Sequence, residues 1–225
     1  MKKLLFGIAI LAIAVMSQAQ GGGRGFGMMQ GGGAASAAML LARDDVQAEL
    51  ALTDEQKDKI TALTDPQQMF PKMQKFMADN GVSFEDFRTE EGRKKMPALM
   101  EKMQAEVKKE IDAVLTPAQS KRLGEIVIQE SKFSAVLQKD IAKALVITED
   151  QDTKLKALQK AQQDAQRGLG TQMRNQEITM EELQEKMKKN TEILNSEIGK
   201  ILTDVQKAKL KEMGGKPFVK KDDGI

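Results

Sequence analysis

The sequence of 225 residues has no cysteine, histidine, tryptophan or tyrosine, and only five prolines. Without cysteine the chain forms no disulfides, so a hydrophobic core must hold it together. The absence of cysteine and histidine also removes the usual zinc, haem and thiol chemistries, and with them most pairs of a nucleophile and a base. We therefore expect no catalytic residue, no metal site and no cofactor, and we do not expect an enzyme.

Long hydrophobic runs are also scarce, and the one clear run lies at the N-terminus. Met1-Lys2-Lys3 precedes an apolar stretch from Leu4 to Met16, and residues 17–19 are Ser-Gln-Ala. Basic, apolar and small-residue parts in this order are typical of a secretory signal peptide. The stretch is short for a membrane span, which needs roughly 20 residues, and no cysteine follows it to carry a lipid. We predict a signal peptide at 1–19 and an exported protein.

The chain has no large excess of charge of either sign. It has 35 basic and 33 acidic residues, and removing Lys2 and Lys3 with the signal peptide leaves 33 of each. Tight binding to nucleic acid depends on an excess of basic residues. We therefore expect no nucleic-acid partner.

Glycine is concentrated between the signal peptide and the main body of the chain. Residues 21–33 include Gly21-Gly22-Gly23 and Gly31-Gly32-Gly33, a composition that favours a flexible chain. We predict a flexible linker at 20–43. An arm of the RGG type that binds nucleic acid would depend on Arg24 and Phe26 alone. At the other end, glycine, proline and charged residues predict a disordered tail at 214–225.

The body of the chain contains four copies of one motif, in which Leu or Ile is followed by Thr-x-x-Gln. In each copy a basic residue follows seven positions after the Leu or Ile, and apolar residues follow after eight and eleven. The motif residues are Leu52, Thr53 and Gln56; Leu115, Thr116 and Gln119; Ile147, Thr148 and Gln151; and Leu202, Thr203 and Gln206.

This motif is a capping box. The threonine hydroxyl accepts from the backbone N–H three residues later, and the glutamine side chain reaches back to the N–H of the threonine. The apolar residues eight and eleven positions after the Leu or Ile then share one face of the helix. We predict a helix start at every copy, and we assign the threonine and glutamine a structural role.

The sequences before the motifs sort the four copies into two pairs, in the order A-B-A-B. Before the A copies stand Val46 and Ile141 in matching positions, and before the B copies stand Ile111 and Ile198. We infer a tandem duplication of a unit of about 90 residues. We predict an all-α protein of two tandem helical-hairpin units, at 44–134 and 135–213, joined by one long helix from 117 towards 146.

Several of these features occur together in a known family. The signal peptide, the Met- and Gln-rich helices, the lack of cysteine, and the paired segments Leu-Thr-Asp-Glu-Gln and Leu-Thr-Pro-Ala-Gln resemble the LTXXQ family of periplasmic, Spy/CpxP-like proteins. The resemblance implies a bent helical hairpin that dimerises into a cradle and protects unfolding envelope proteins without ATP. Because this chain carries two units, we expect a monomeric pseudo-dimer with an intramolecular cradle, or a homodimer.

The strongest candidate binding site is a place where the two units differ. The first unit has Met69, Phe70, Met73, Phe76 and Met77 where the second has Asp164, Ala165, Gly168, Thr171 and Gln172. Methionine is flexible and polarisable, so such a surface suits a protein that binds many apolar segments. The alternative is that this face packs as ordinary core under a loop containing Phe84 and Phe87.

Two functions follow as hypotheses. The first is a periplasmic, ATP-independent chaperone-like protein that binds exposed apolar segments of unfolded or partly folded envelope proteins. The second is an envelope-stress or metal-responsive adaptor that binds a sensor protein. Thioethers at Met69, Met73 and Met77 could bring Cu(I) ligands together, but core packing is the simpler explanation of these methionines.

Overall fold

The computed structural model describes residues 33–83, 85–86 and 89–219, excluding the side chains at 33–36, 66–70, 93 and 97. Every regular element within these ranges is helical, which confirms the all-α prediction. In the same ranges no helix combines the length and the apolar character needed to cross a bilayer. The predicted signal peptide at 1–19, the first part of the predicted linker at 20–32 and the end of the tail at 220–225 lie outside the described residues.

Ten α-helices and one 3₁₀ helix make up the described chain. In order they are α1 Gly33–Leu41, α2 Asp44–Glu49, α3 Asp54–Thr64, α4 Pro66–Asp79, α5 Glu90–Val114, α6 Pro117–Ser131, the 3₁₀ helix Lys132–Leu137, α7 Lys139–Ala144, α8 Glu149–Arg174, α9 Met180–Ile201 and α10 Asp204–Met213.

The described residues form two hydrophobic core clusters, and each surrounds one A copy and one B copy of the motif. The first cluster includes Val46, Leu52, Ile60, Ile111, Leu115 and Leu123, and the second includes Ile141, Leu155, Ile198, Leu202 and Leu210. The residue eight positions after the Leu or Ile is buried in all four copies, as the helical spacing predicts. The sequence repeat therefore corresponds to a repeat in packing.

The prediction that the flexible linker extends to residue 43 is wrong. Residues 33–41 form α1, and both Leu40 and Leu41 are buried in the first cluster. The run Gly-Ala-Ala-Ser-Ala-Ala-Met-Leu-Leu gains its stability from packing against α3, α5 and α6. The last part of the predicted linker therefore belongs to the first unit.

The prediction of one long helix from 117 towards 146 is also wrong. Helix α6 ends at Ser131, and Lys132 adopts φ 52° and ψ −132°, which no α-helix can accommodate. The 3₁₀ helix and α7 then redirect the chain so that Ala135, Val136 and Ile141 enter the second cluster. Burial of these side chains overrides the helix propensity of the connecting sequence.

The predicted disordered tail at 214–225 is wrong for its described part, 214–219. Phe218 packs against the first cluster, and its backbone N–H donates to Gln129 in α6 at 2.8 Å. The chain therefore returns from the end of the second unit to the first.

Candidate functional site

All four predicted capping boxes are present. The threonine hydroxyl accepts from the glutamine N–H, and the glutamine side chain accepts from the threonine N–H, at Thr53, Thr116, Thr148 and Thr203. In the first copy these distances are 3.2 Å and 3.1 Å. The sequence therefore predicted the start of α3, α6, α8 and α10 correctly.

The helices before the two A copies end in a left-handed turn. Ala51 has φ 48° and Val146 has φ 52°. In the first of these turns the N–H of Leu52 donates to the carbonyl of Gln47, and in the second the N–H of Ile147 donates to the carbonyl of Ala142. This is the hydrogen bond of a Schellman motif, which commonly ends with an apolar residue that contacts the preceding helix. The Leu or Ile of an A copy is that residue.

The helices before the two B copies end differently. Leu115 and Leu202 are extended residues that directly join one helix to the threonine cap of the next. Each is buried, and its N–H still donates to a helix carbonyl, that of Ile111 or Ile198. The A and B copies thus make two different corners from one motif.

The two corners of each unit are joined through their glutamines. The amide nitrogen of Gln56 donates to the side-chain oxygen of Gln119 at 2.8 Å, and that of Gln119 donates back at 3.1 Å. Gln56 also donates to the carbonyl of Val114 at 2.8 Å, and Gln119 donates to the carbonyl of Leu50 at 3.1 Å. These carbonyls end the helices that precede the partner corner, so each glutamine caps two helices.

The second unit repeats this arrangement. Gln151 and Gln206 exchange amide hydrogen bonds of 2.8 Å and 3.0 Å, and they donate to the carbonyls of Ile201 and Leu145. Gln151 is the one buried polar side chain among the described residues. Sequence reasoning predicted the caps but missed these pairs, which bring together residues 63 positions apart in the first unit and 55 apart in the second.

A fifth capping box shows what glutamine adds. Thr179 and Glu182 cap the start of α9 with the same two hydrogen bonds, of 3.2 Å and 2.8 Å. Glutamate caps as well as glutamine here, because the cap requires the side chain only to accept a hydrogen bond. At the four corners the side chain must also donate twice, which a carboxylate cannot do.

The predicted binding face lies on α4, and the structure places its members in different environments. Met77 is buried, with 4 % of its surface exposed, and Met73 and Phe76 are half-buried. Burial of Met77 agrees with the alternative that part of this face is core. The side chains of Met69 and Phe70, and the residues Phe84 and Phe87, lie outside the description.

Two polar contacts link α4 to α5, one from the middle of α4 and one from the residue just after it. Lys72 lies 3.5 Å from Glu110, and the ammonium of Lys102 donates to the side-chain oxygen of Asn80 at 3.0 Å. Since the numbers rise along α4 as they fall along α5, the two helices are antiparallel. The segment between these contacts contains Met73, Phe76 and Met77 on α4.

Helix α5 contributes further methionines to the same pair of helices. Met96, Met100 and Met103 are half-buried, while Leu99 is buried. Near these contacts each of the two helices therefore carries a buried apolar residue, Met77 or Leu99, and further partly exposed ones. In the second unit the side chain of Met187 on α9 is also half-buried. Helix α8, however, has Gly168, Thr171 and Gln172 at the positions that correspond to Met73, Phe76 and Met77 of α4.

A group of paired charges lies away from this face, where α2 meets α6. Arg43 donates to Asp45 at 3.0 Å and to Glu130 at 3.1 Å. The hydrogen bonds from Arg43 lower the pKa of Asp45, and those same bonds raise the pKa of Arg43. This pairing holds the start of α2 against α6. Among the described residues no group of three or more acidic side chains is placed to bind a metal ion.

Comparison with known proteins adds no assignment. No family model matches the chain. No curated protein matches it. No solved structure matches it.

Proposed function

We propose that this chain is an exported, ATP-independent chaperone-like protein of the LTXXQ type, which binds exposed apolar segments of unfolded envelope proteins. The half-buried methionine and phenylalanine side chains of α4 and α5 carry this proposal. They combine soft, adaptable apolar surface with a rigid helical support, which suits a protein with many partners. The resemblance of the four motifs to the LTXXQ family supports the same function and a periplasmic location.

Burial of Met77 narrows the proposed contact surface. Met73 and Phe76 on α4 and Met96, Met100 and Met103 on α5 are each partly exposed, and we call these five residues the methionine margin. Met77 is a buried residue and is left out of this surface. Met69 and Phe70 extend the margin along α4 in the sequence and remain part of the proposed surface.

The test is suppression of aggregation. Several unrelated denatured proteins are diluted into buffer with the purified chain, and light scattering is followed without ATP. The variant with Met73→Gln and Phe76→Gln should suppress scattering less, because glutamine removes apolar contact while keeping helix propensity. The control carries two glutamines on α8: Thr171→Gln at the counterpart of Phe76, and Ala165→Gln one turn before Gly168, the counterpart of Met73.

The outcomes separate the two candidate functions. Loss of suppression in the α4 variant, with the α8 control unchanged, supports the chaperone function. No suppression by the wild-type chain, together with one tightly bound envelope partner, would instead support the adaptor function. Circular dichroism establishes that all variants keep the same helix content.

A further inference from the structure

The described end of the chain, Gly214–Val219, lies along α6 of the first unit and is held by one glutamine. The amide nitrogen of Gln129 donates to the carbonyls of Gly214 and Lys216, the latter at 2.9 Å. Its side-chain oxygen accepts from the N–H of Phe218 at 2.8 Å. One side chain thus satisfies three backbone groups of this non-helical segment. Contacts of this kind hold a peptide through its backbone and leave much of its sequence free.

A second set of contacts surrounds the lysine of this segment. Arg122 donates to the carbonyl of Lys216 at 2.8 Å, and the ammonium of Lys216 lies 3.6 Å from the carboxylate of Glu49. Arg122 itself pairs with Glu49 at 2.7 Å and with Glu125 at 2.9 Å. The guanidinium is therefore fixed by two carboxylates while it binds the segment's backbone.

The aromatic residue of the segment is its anchor. Phe218 packs against the first hydrophobic cluster, and the guanidinium carbon of Arg43 lies 5.8 Å from the centre of its ring. That distance is within the range of a cation–π contact. Asp45 and Glu130 hold Arg43 in place, so the ring contacts a guanidinium that is fixed by two carboxylates.

Glycine is required at one position of the segment. Gly215 has φ +64°, and a Cβ added to it would lie 2.4 Å from the carboxylate of Glu125. In contrast, the side chains of Lys216 and Val219 are 74 % and 80 % exposed. The surface therefore selects a short segment with glycine three positions before an aromatic residue, and it tolerates variation at the exposed positions.

We propose that Gln129, Arg122, Glu49 and Arg43 line a peptide-binding groove for short segments of the Gly-Lys-Pro-Phe type, and that the chain's own residues 214–219 are its exchangeable occupant. One aromatic anchor and a few backbone hydrogen bonds give weak binding in solution. A tether raises the effective concentration of the segment to about the millimolar range, which keeps the groove filled. The groove is separate from the methionine margin and does not depend on the proposed chaperone function.

The first experiment releases the tail in the full-length chain and offers the segment as a free peptide. The chain with Gly215→Ala and Phe218→Ala is titrated against a fluorescent peptide of sequence Gly-Gly-Lys-Pro-Phe-Val, and anisotropy is measured. We expect saturable binding at least about tenfold tighter than to the wild-type chain, where the tethered segment competes. A peptide with alanine in place of phenylalanine should not bind.

A further substitution locates the bound peptide. Adding Gln129→Ala to the released chain should abolish binding, whereas Gln163→Ala on the exposed face of α8 should leave it unchanged. Absence of saturable binding to the released chain, or binding that survives Gln129→Ala, would overturn the proposal. Circular dichroism of each variant verifies that the helices are intact.

The second experiment uses the wild-type chain and does not depend on any variant folding. Hydrogen exchange at the amide of Phe218 is followed by NMR while unlabelled peptide is added in the millimolar range. Displacement of the tail should speed this exchange in proportion to the bound fraction, and a scrambled peptide should have no effect. Unchanged exchange at the highest peptide concentration would show that the tail is a fixed part of the fold.

Discussion

Gln56 and Gln119 donate to each other's side-chain oxygens across the first unit, although 63 residues separate them in the sequence. Each glutamine oxygen also accepts from its own threonine N–H, and each nitrogen also donates to a carbonyl at the end of a helix. Every hydrogen-bonding position of the two amides thus has a partner. The glutamine of each motif therefore has two roles: it caps its own helix, and it links the two corners of the unit by hydrogen bonds.

The first prediction concerns this second role of glutamine. Gln151→Glu should lower the free energy of unfolding by about 2 kcal/mol or more, because it removes two donors and places a charge among buried acceptors. The capping hydrogen bonds at Thr148 should survive. Urea denaturation followed by circular dichroism measures the change.

The control is the capping box that lacks a partner glutamine. Glu182→Gln at the start of α9 keeps the cap and is exposed, so we expect a change within about 0.5 kcal/mol. Equal effects of Gln151→Glu and Glu182→Gln would mean that the paired amides contribute nothing beyond capping.

The second prediction concerns the left-handed corner before the third motif. Val146 has φ 52° and is 75 % exposed. A β-branched residue is strained there, since its side chain crowds the backbone, while glycine adopts this conformation freely. Val146→Gly should therefore raise the free energy of unfolding by about 1 kcal/mol, as measured by urea denaturation.

The equivalent residue of the first unit provides the comparison. Ala51 has φ 48° and carries no branch, so Ala51→Gly should gain less than Val146→Gly. A loss of stability in the Val146 variant would show that its side chain makes a contact worth more than the strain.

Local features of the fold were the ones the sequence could predict. A capping box is complete within four residues, so its pattern can be read directly, and the starts of α3, α6, α8 and α10 follow from it. The pairing of Gln56 with Gln119 depends on two corners meeting in space, which no local pattern indicates. The one available clue was that every copy uses glutamine, whereas Thr179 is followed by Glu182.

The ends of the body were misjudged for a related reason. Glycine near residue 33 and after residue 213 indicates low local order, but Leu41 and Phe218 are drawn into the first cluster by burial. Likewise, the break at Lys132 has no glycine or proline to mark it. Tertiary packing determines the structure at all three places. The role of the α4 methionines could not be predicted either, because soft apolar residues serve equally in a core and at a binding surface.

The third prediction follows from the pairing of Arg43 with Asp45. Hydrogen bonds from Arg43 hold the pKa of Asp45 below its ordinary value of 3.8. This stabilisation is therefore present above that value and is lost as the pH falls through the lower folded pKa. Asp45→Asn should reduce the free energy of unfolding at pH 7. The difference in this free energy between the variant and the wild type should shrink below pH 3.8.

Asp164 is the matched control, because a hydrogen bond from Lys160 also lowers its pKa but the pair is exposed. Asp164→Asn should produce a smaller difference at pH 7 and little change in the acid limb. Urea denaturation from pH 2.5 to 7 measures both variants. Parallel curves for the wild type and Asp45→Asn across this range would contradict the assignment.

The fourth prediction contrasts two glycines inside helices of the second unit. A Cβ at Gly168 in α8 would meet nothing within 4 Å, whereas a Cβ at Gly199 in α9 would lie 3.0 Å from the ring of Phe133. Gly168→Ala should therefore stabilise the chain by about 0.5–1 kcal/mol through helix propensity. Gly199→Ala should leave the stability unchanged or lower it, because the ring of Phe133 must move away from the added methyl group. Thermal unfolding of both variants tests this, and an equal gain from the two would mean that Phe133 does not pack against α9.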